Sequence, residues 1–328
     1  MNKAVYIATT EPGSGKSIIA LGLFQMLLGK GAKVGYFRPI IGDSHNKKTD
    51  NHIDTIRSYF NLDITPKSAY AFTRNEVTIL RNEGKIDEIL NTIITKYKAI
   101  EAKNDFVLVE GTDFSGDNYA FELDANVLIA KNLGIPAIIV GQGEGKSTEE
   151  LIGSLHMAYD SFKDKEVEVL GLVANKVDKR LLNIIKNGLK KNLHKDVLID
   201  VIPNISLLAN PTIKEIVESL DAKVLFGEEF LHNQTSTFVA GAMQLRNFLT
   251  HLTDNCFVIM PGDRADLLLA TLQANRSSNY PKISGIVLTG NLIPEKSVLK
   301  LIKGLSSVVP IVSVADGTFA AITKVGAI

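Results

Sequence analysis

The sequence predicts an α/β fold: a P-loop parallel sheet with helices on both faces, followed by a smaller α/β domain. Three observations predict it. Apolar runs of four to six residues alternate with helix-period segments from end to end. The first run, Ala4-Val5-Tyr6-Ile7-Ala8, leads through Pro12-Gly13-Ser14-Gly15-Lys16-Ser17 into an amphipathic segment carrying Ile18, Leu21, Phe24, Leu27 and Leu28. The alternation pauses near residues 219–223 and then restarts.

Taken in order, a second strand, Lys33-Val34-Gly35-Tyr36-Phe37, ends on Arg38-Pro39. Residues 43–82 are polar and irregular apart from a helical patch at Ile53, Ile56, Tyr59 and Phe60. The spacing of Ile86, Ile89, Leu90, Ile93, Ile94 and Tyr97 predicts a helix over 85–103. Phe106-Val107-Leu108-Val109 reads as a strand ending on Glu110-Gly111. A helix over 124–133 and the buried strand Ala137-Ile138-Ile139-Val140 follow. Then come a helix over 148–162, a strand at 169–173 ending on Ala174-Asn175-Lys176, a helix over 180–192 and a strand at 197–202. A short helix is expected from Thr212, behind Pro211. The domains are accordingly 1–221 and 222–328. The second carries strands at 257–260, 285–288 and 308–314, with helices near 239–249, 265–274 and 295–303, the last stopped by Gly304. About 105 residues is an ordinary size for a small domain.

A chain of 328 residues can bury a sizeable core. With 36 basic and 36 acidic residues it is neutral, which argues against a dedicated nucleic-acid binder or a polybasic membrane module. The single Cys256, inside an apolar run, can form neither an intrachain disulfide nor a multi-cysteine metal site, as suits a reducing compartment. No signal-like leader or membrane-length apolar run is present, so the expected location is cytoplasmic.

The strand, glycine loop and helix at the start form a phosphate cradle. Backbone N–H groups across Thr10, Gly13, Ser14 and Gly15 point inward, and the helix N-terminus adds partial positive charge. Lys16 reaches terminal phosphates, and Ser17 is placed to ligate Mg²⁺. The pattern G-x-x-x-x-G-K-[ST] has glycine where Thr10 stands.

Ligands of parallel α/β sheets collect at the carboxyl ends of strands. Five such ends here are polar: the loop at 9–17, Arg38, Glu110, Gln142 and Asn175. Glu110, ending an apolar strand, is the leading Mg²⁺ ligand beside Ser17, or else a helix-capping or surface carboxylate; Asp50 or Asp43 can reach the same metal, or else each is a solvated carboxylate. Arg38 suits a phosphate or a carboxylate effector, or else is a surface arginine fixed by Pro39. The Asn175 amide can read a base edge or form a turn. Asp263-Arg264 and Thr289-Gly290-Asn291 mark strand ends of the second domain, suited to a second small-molecule or interface site and equally to turn chemistry. No catalytic acid–base or nucleophile set stands out. The six histidines, His45, His52, His156, His194, His232 and His251, are scattered without metal-ligand spacing.

The first domain resembles the dethiobiotin synthetase branch of P-loop proteins. Its loop pattern is matched at Thr10, Gly15, Lys16 and Ser17, with Thr9 in place of the leading glycine. Its Lys-Pro-Val corresponds to Arg38-Pro39-Ile40, its Ser-Asp-Ala to Thr49-Asp50-Asn51, and its Val-Glu-Gly to Val109-Glu110-Gly111. Its Asn after a Val-Ala pair corresponds to Asn175 after Val173-Ala174. The second domain resembles the DRTGG type through Asp263-Arg264 and Thr289-Gly290, with Asn291 for the last glycine.

In this order the pair resembles the N-terminal region of long-form phosphate acetyltransferases. Glu110-Gly111-Thr112-Asp113-Phe114, Asn126, Ala130-Lys131-Asn132-Leu133-Gly134 and Leu208-Ala209-Asn210-Pro211-Thr212 strengthen that likeness. The resemblance implies a regulatory and assembly region of a protein that interconverts acetyl-CoA and phosphate with acetyl phosphate and CoA. It implies Mg-ATP or another nucleotide as ligand, a nucleotide or metabolite effector and a homo-oligomer. It also implies a C-terminal acetyltransferase domain to follow; this sequence stops at Ile328, as an excised piece or a stand-alone relative would. The chain alone is then expected to lack transferase activity. The alternative is an ATP-dependent carboxylate ligase or carboxylase of the dethiobiotin synthetase type. Against it, Ala71-Phe72-Thr73-Arg74-Asn75-Glu76 replaces that branch's Pro-x-Ser-Pro-His segment, and Arg38 replaces its lysine.

Overall fold

The computed structural model of the protein describes residues 3–43, 50–62, 64–112, 119–191, 193–205, 208, 210–305 and 308–326. His45, Thr49, Asp113, Phe114, Asn192, Ala209 and Ile328 lie outside the described residues. The chain divides into two compact units, 1–204 and 205–328.

In the first unit the elements run β1 (Ala4–Thr9), α1 (Lys16–Gly29), β2 (Val34–Ile41), α2 (Asn51–Tyr59), β3 (Tyr70–Thr73), α3 (Arg74–Asn82) and α4 (Ile86–Glu101). They continue as β4 (Phe106–Glu110), α5 (Tyr119–Leu133), β5 (Ala137–Gln142), α6 (Thr148–Asp164), β6 (Val169–Val177), α7 (Leu182–Leu189) and β7 (Leu198–Pro203). Among the described residues the sheet has seven strands in the order β3-β2-β4-β1-β5-β6-β7, and every pairing is parallel. The continuous apolar runs follow from burial on both faces. Along β1, Ala4, Tyr6 and Ala8 join one core while Val5 and Ile7 join the other, the period of two that a strand imposes. The chain winds outward through β2 and β3, returns as β4 beside β1, and then crosses to β5 on the other side. That reversal makes the carboxyl end of β1 a topological switch point, where α/β sheets open a crevice for ligands.

The second unit contains α8 (Ile213–Ser219), β8 (Lys223–Phe226), β9 (Thr237–Ala240), α9 (Leu245–Phe248), β10 (Cys256–Pro261) and α10 (Ala265–Arg276). It ends with β11 (Ile283–Thr289), α11 (Lys296–Lys303), β12 (Ile311–Ser313) and α12 (Thr318–Val325). Its five described strands are ordered β8-β12-β11-β10-β9, with β8 antiparallel at one edge.

Beyond β3 and α3 in the segment expected to be irregular, and the unexpected β8 and α12, two further features differ from the sequence expectation. The short helix behind Pro211 packs Ile213, Ile216 and Leu220 with Phe257, Ile259 and Val312 of the second sheet, so the compact units part before it rather than after residue 221. The segment expected as a helix near 239–249 is β9 followed by the single turn α9. Phe238 and Val239 pair with Phe257 and Val258, and that edge pairing prevails over a helix that would carry Gly241 in its interior.

Helix α8 is seven residues long and depends on its cap: Thr212 Oγ1 accepts from Glu215 N at 3.2 Å while Glu215 Oε2 accepts from Thr212 N at 2.7 Å. Thr212→Ala should destabilise the second unit by about 1 kcal/mol. The loss should appear in hydrogen exchange as faster opening of α8 and its partner strand β10, with the first sheet unchanged.

Candidate functional site

The loop between β1 and α1 turns into the helix at Gly15, which holds φ at +79°, a conformation that favours glycine. Space as well as dihedral demands it, since a Cβ there would sit 2.4 Å from Asn175 Nδ2. That amide donates to Ser14 O at 2.8 Å and so fixes the loop against the end of β6. Thr10, Ser14 and Lys16 are buried. Thr10 N continues the β-ladder by donating to Val140 O at 3.0 Å. Glu11 braces the far side of the loop: its carboxylate accepts from Gln142 N at 2.7 Å and Thr10 Oγ1 at 3.0 Å, and pairs with Lys146.

The second part of the site is a buried carboxylate. Gly111 lets β4 pass close beneath β1, because a Cβ there would lie 2.7 Å from Asn126 Oδ1 and 2.9 Å from Ile7 O. Asn126 in turn accepts from Tyr6 Oη at 2.6 Å and Thr112 N at 2.9 Å. Glu110, fully buried before that glycine, accepts from Tyr36 Oη at 2.5 Å through Oε2. Its Oε1 accepts from Ser17 Oγ at 3.2 Å and from His52 Nδ1 at 2.8 Å. An ionised carboxylate can only accept, so Nδ1 carries the imidazole proton; it also lies 2.6 Å from Ser17 Oγ. Burial pushes the Glu110 carboxyl up, but the His52 hydrogen bond and the positive charges of Arg38, Lys16 and His52 outweigh it and hold the group at about 2. The Tyr36 phenol is pushed well up, by burial first and then by the Glu110 charge, and remains a neutral donor.

The structure thus brings together Thr10, Gly13, Ser14, Gly15, Lys16, Ser17, Glu110 and Asn175 around one loop. Asp50 is differently engaged. Its Oδ1 accepts from Arg38 Nη1 at 2.6 Å and from the backbone of His52 and Ile53, capping α2. Asp43 accepts from Asn75 N at 3.0 Å. Arg38 is fully buried rather than a surface residue, and lends its charge to Glu110 and Asp50. Among the described residues no group of three or more His, Cys, Asp or Glu side chains gathers as a metal cluster. In the second unit Arg264 forks onto Asp266, both bonds 2.9 Å, and reaches Met243 O at 3.2 Å. Thr289 Oγ1 lies 2.7 Å from Thr318 Oγ1, and Gly290 takes φ +79°. Asp263 lies in the turn that Gly262 begins after β10.

His52, Tyr36, Glu11 and Lys146 are contributors that motif reading does not single out. His52 is 35 residues from Ser17 in the chain, and the sequence signal nearby was only the helical patch that begins at Ile53.

The family model described as "AAA domain" matches residues 3–225. The chain belongs to that family. The model described as "DRTGG domain" matches residues 215–328. A phosphate acetyltransferase of Nitratidesulfovibrio vulgaris is 39% identical over 324 residues, covering 97% of this chain and 46% of that protein. One from Synechocystis sp. is 35% identical over 320 residues with the same coverage, 97% and 46%. The chain spans about half the length of the curated relatives it matches. A nucleotide-binding protein of Archaeoglobus fulgidus, solved in complex with ADP, is 14% identical with a TM-score of 0.37, covering 63% of this chain and 84% of that one. The resemblance read from the sequence, a P-loop domain and then a DRTGG domain in the order of long-form phosphate acetyltransferases, holds over nearly the whole chain. Among the described residues no helix is long and apolar enough to cross a membrane.

Glu110 titrates in the folded protein at about 2, below its ordinary 4.5. The stabilisation it supplies is therefore complete above about pH 4.5 and is lost as pH falls toward 2. Glu110→Gln should cost roughly 2–3 kcal/mol at neutral pH. Its urea midpoint should also fall less steeply than the parent's across that acid window.

Proposed function

We propose that this chain is the nucleotide-responsive regulatory and assembly region of a phosphate acetyltransferase, and that it binds a Mg-nucleotide such as Mg-ATP on the Gly13–Ser17 loop. The observation that carries the reading is the loop itself. Gly15 and Asn175 hold its turn open, and Lys16 and Ser17 sit at its helix N-terminus above the Glu110 carboxylate. Backbone N–H groups and the helix dipole attract phosphate oxygens there, and Lys16 supplies a point charge for the terminal phosphate.

The Ser17 hydroxyl and Glu110 carboxylate, 3.2 Å apart, are hard oxygen donors of the kind Mg²⁺ takes, with phosphate oxygens and waters completing its shell. Magnesium would supply charge neutralisation between neighbouring phosphates; the chain's residues orient the nucleotide and keep the loop shut against β6. Asp50 would act on this site indirectly, by holding Arg38 and starting the helix that carries His52. The occupation of Arg38 by Asp50 favours a sensor over a ligase, because a ligase needs that cation for its carboxylate substrate.

In this reading acetyl transfer between acetyl-CoA and phosphate belongs to a C-terminal domain of the parent protein, acting in the cytoplasm. The second unit provides the homo-oligomer contacts and an effector surface at Asp263, Arg264, Thr289 and Gly290. The relatives support this division, since they share both domains with this chain and are about twice as long.

Two measurements test the reading. Calorimetry with Mg-ATP and Mg-GTP should give saturable heat that Lys16→Ala weakens by about tenfold or more; no heat with either would refute the nucleotide site. The purified chain should form no acetyl phosphate from acetyl-CoA and phosphate, and measurable turnover would refute the regulatory assignment.

A further inference from the structure

We infer that the cavity at the carboxyl ends of β5 and β6 is a base pocket that takes guanine in preference to adenine, with Asp178 as the selecting residue. The inference rests on the nucleotide reading above and names the base it prefers.

The cavity measures about 600 Å³ and is lined by Gly143, Lys146, Lys176, Asp178, Leu181 and Ile185, among others. It adjoins the phosphate loop through both walls. On one wall Lys146 pairs with Glu11 of the loop, and on the other Lys176 follows Asn175, whose amide is bonded to Ser14. A nucleotide with its phosphates over Gly13–Ser17 therefore has this cavity next to it. The local backbone is bent to serve it. The ladder between β6 and β7 slips between Ala174 and Val177, Lys176 takes the left-handed φ of 55°, and Asp178 just beyond them lines the cavity.

The bonding of Asp178 specifies a partner. Arg180 N donates to Oδ1 at 2.9 Å and fixes the carboxylate's orientation. The Arg180 guanidinium then lays two N–H groups along its outer edge, Nε to Oδ1 at 3.1 Å and Nη2 to Oδ2 at 2.6 Å. That arginine side chain is 87% exposed, so exchanging it for a ligand costs little. Guanine presents the same edge in N1–H and the exocyclic N2–H. Adenine presents one amine beside the N1 lone pair, and a carboxylate repels a lone pair. Uracil flanks its single N–H with two carbonyl oxygens, and cytosine again sets an amine beside a lone pair. Guanine is thus the base whose donors match both carboxylate oxygens, as charge-assisted pairs. Leu181, Ile185 and the Lys176 stem offer apolar surface to the ring faces.

The test measures binding of guanosine, adenosine and xanthosine diphosphates with Mg²⁺ to the whole chain, its Asp178→Asn variant and its Lys16→Ala variant. The parent should bind the guanosine form about ten- to hundredfold more tightly than the adenosine form. In Asp178→Asn the amide offers one acceptor to N1–H and one donor to the C2 carbonyl of xanthine, so the xanthosine form should become the tighter ligand. A damaged fold weakens all ligands and cannot reverse their order. Lys16→Ala should weaken all three alike. Equal or tighter adenosine binding by the parent, or an unchanged guanosine–xanthosine order in Asp178→Asn, would overturn the inference while leaving the nucleotide site standing. Failure of every diphosphate to bind the parent would overturn both.

Discussion

The site depends on a buried carboxylate whose charge is kept. Glu110 ends a strand buried on both faces, where an unpaired negative charge would not survive. Tyr36, Ser17 and His52 each donate to it, and Arg38 and Lys16 supply compensating charge. Those five residues come from β2, α1 and the start of α2, so one interaction locks the first helical turn after the phosphate loop to two strands and a second helix. The arrangement also binds in the other direction. Without the carboxylate the buried positive charge of Arg38 and Lys16 would lose part of its compensation, although Arg38 would keep its pair with Asp50, and one-sided removal is the costly way to break such a cluster.

A second constraint closes the loop from the opposite side. Asn175 bonds Ser14 and occupies the space a Gly15 side chain would need, while Glu11 ties the loop's start to β5 and Lys146. The loop is suspended between Glu110 on the β4 side and Asn175 on the β6 side of the switch point. Such preorganisation lets backbone N–H groups meet phosphate without first paying to order themselves.

Much of this was legible in the sequence, and the exceptions have physical causes. The interior strands read clearly because burial on both faces demands unbroken apolar runs, as at Ala4–Thr9, Phe106–Glu110 and Cys256–Pro261. Three edge strands, Tyr70–Thr73, Lys223–Phe226 and Thr237–Ala240, are four residues each with mixed exposure, too short for periodicity to register. Gly15, Lys16 and Ser17 were legible because their chemistry is local to one turn. His52 was not, since a lone histidine acquires meaning only when the fold carries it from α2 to Ser17 and Glu110. Arg38 was readable as a cation at a strand end, but its burial beneath Asp50 is a tertiary fact.

The architecture joins a nucleotide-type cradle to a second α/β unit in the order its longer relatives share. Around that cradle Arg38 is paired with Asp50 and Lys146 with Glu11. Hydrogen exchange of the whole chain with and without Mg-nucleotide tests nucleotide binding at the cradle most directly. Slowed exchange centred on the amides of residues 13–17, absent in Lys16→Ala, is the predicted result; unchanged exchange there at saturating nucleotide, or protection confined to the second unit, would contradict the account.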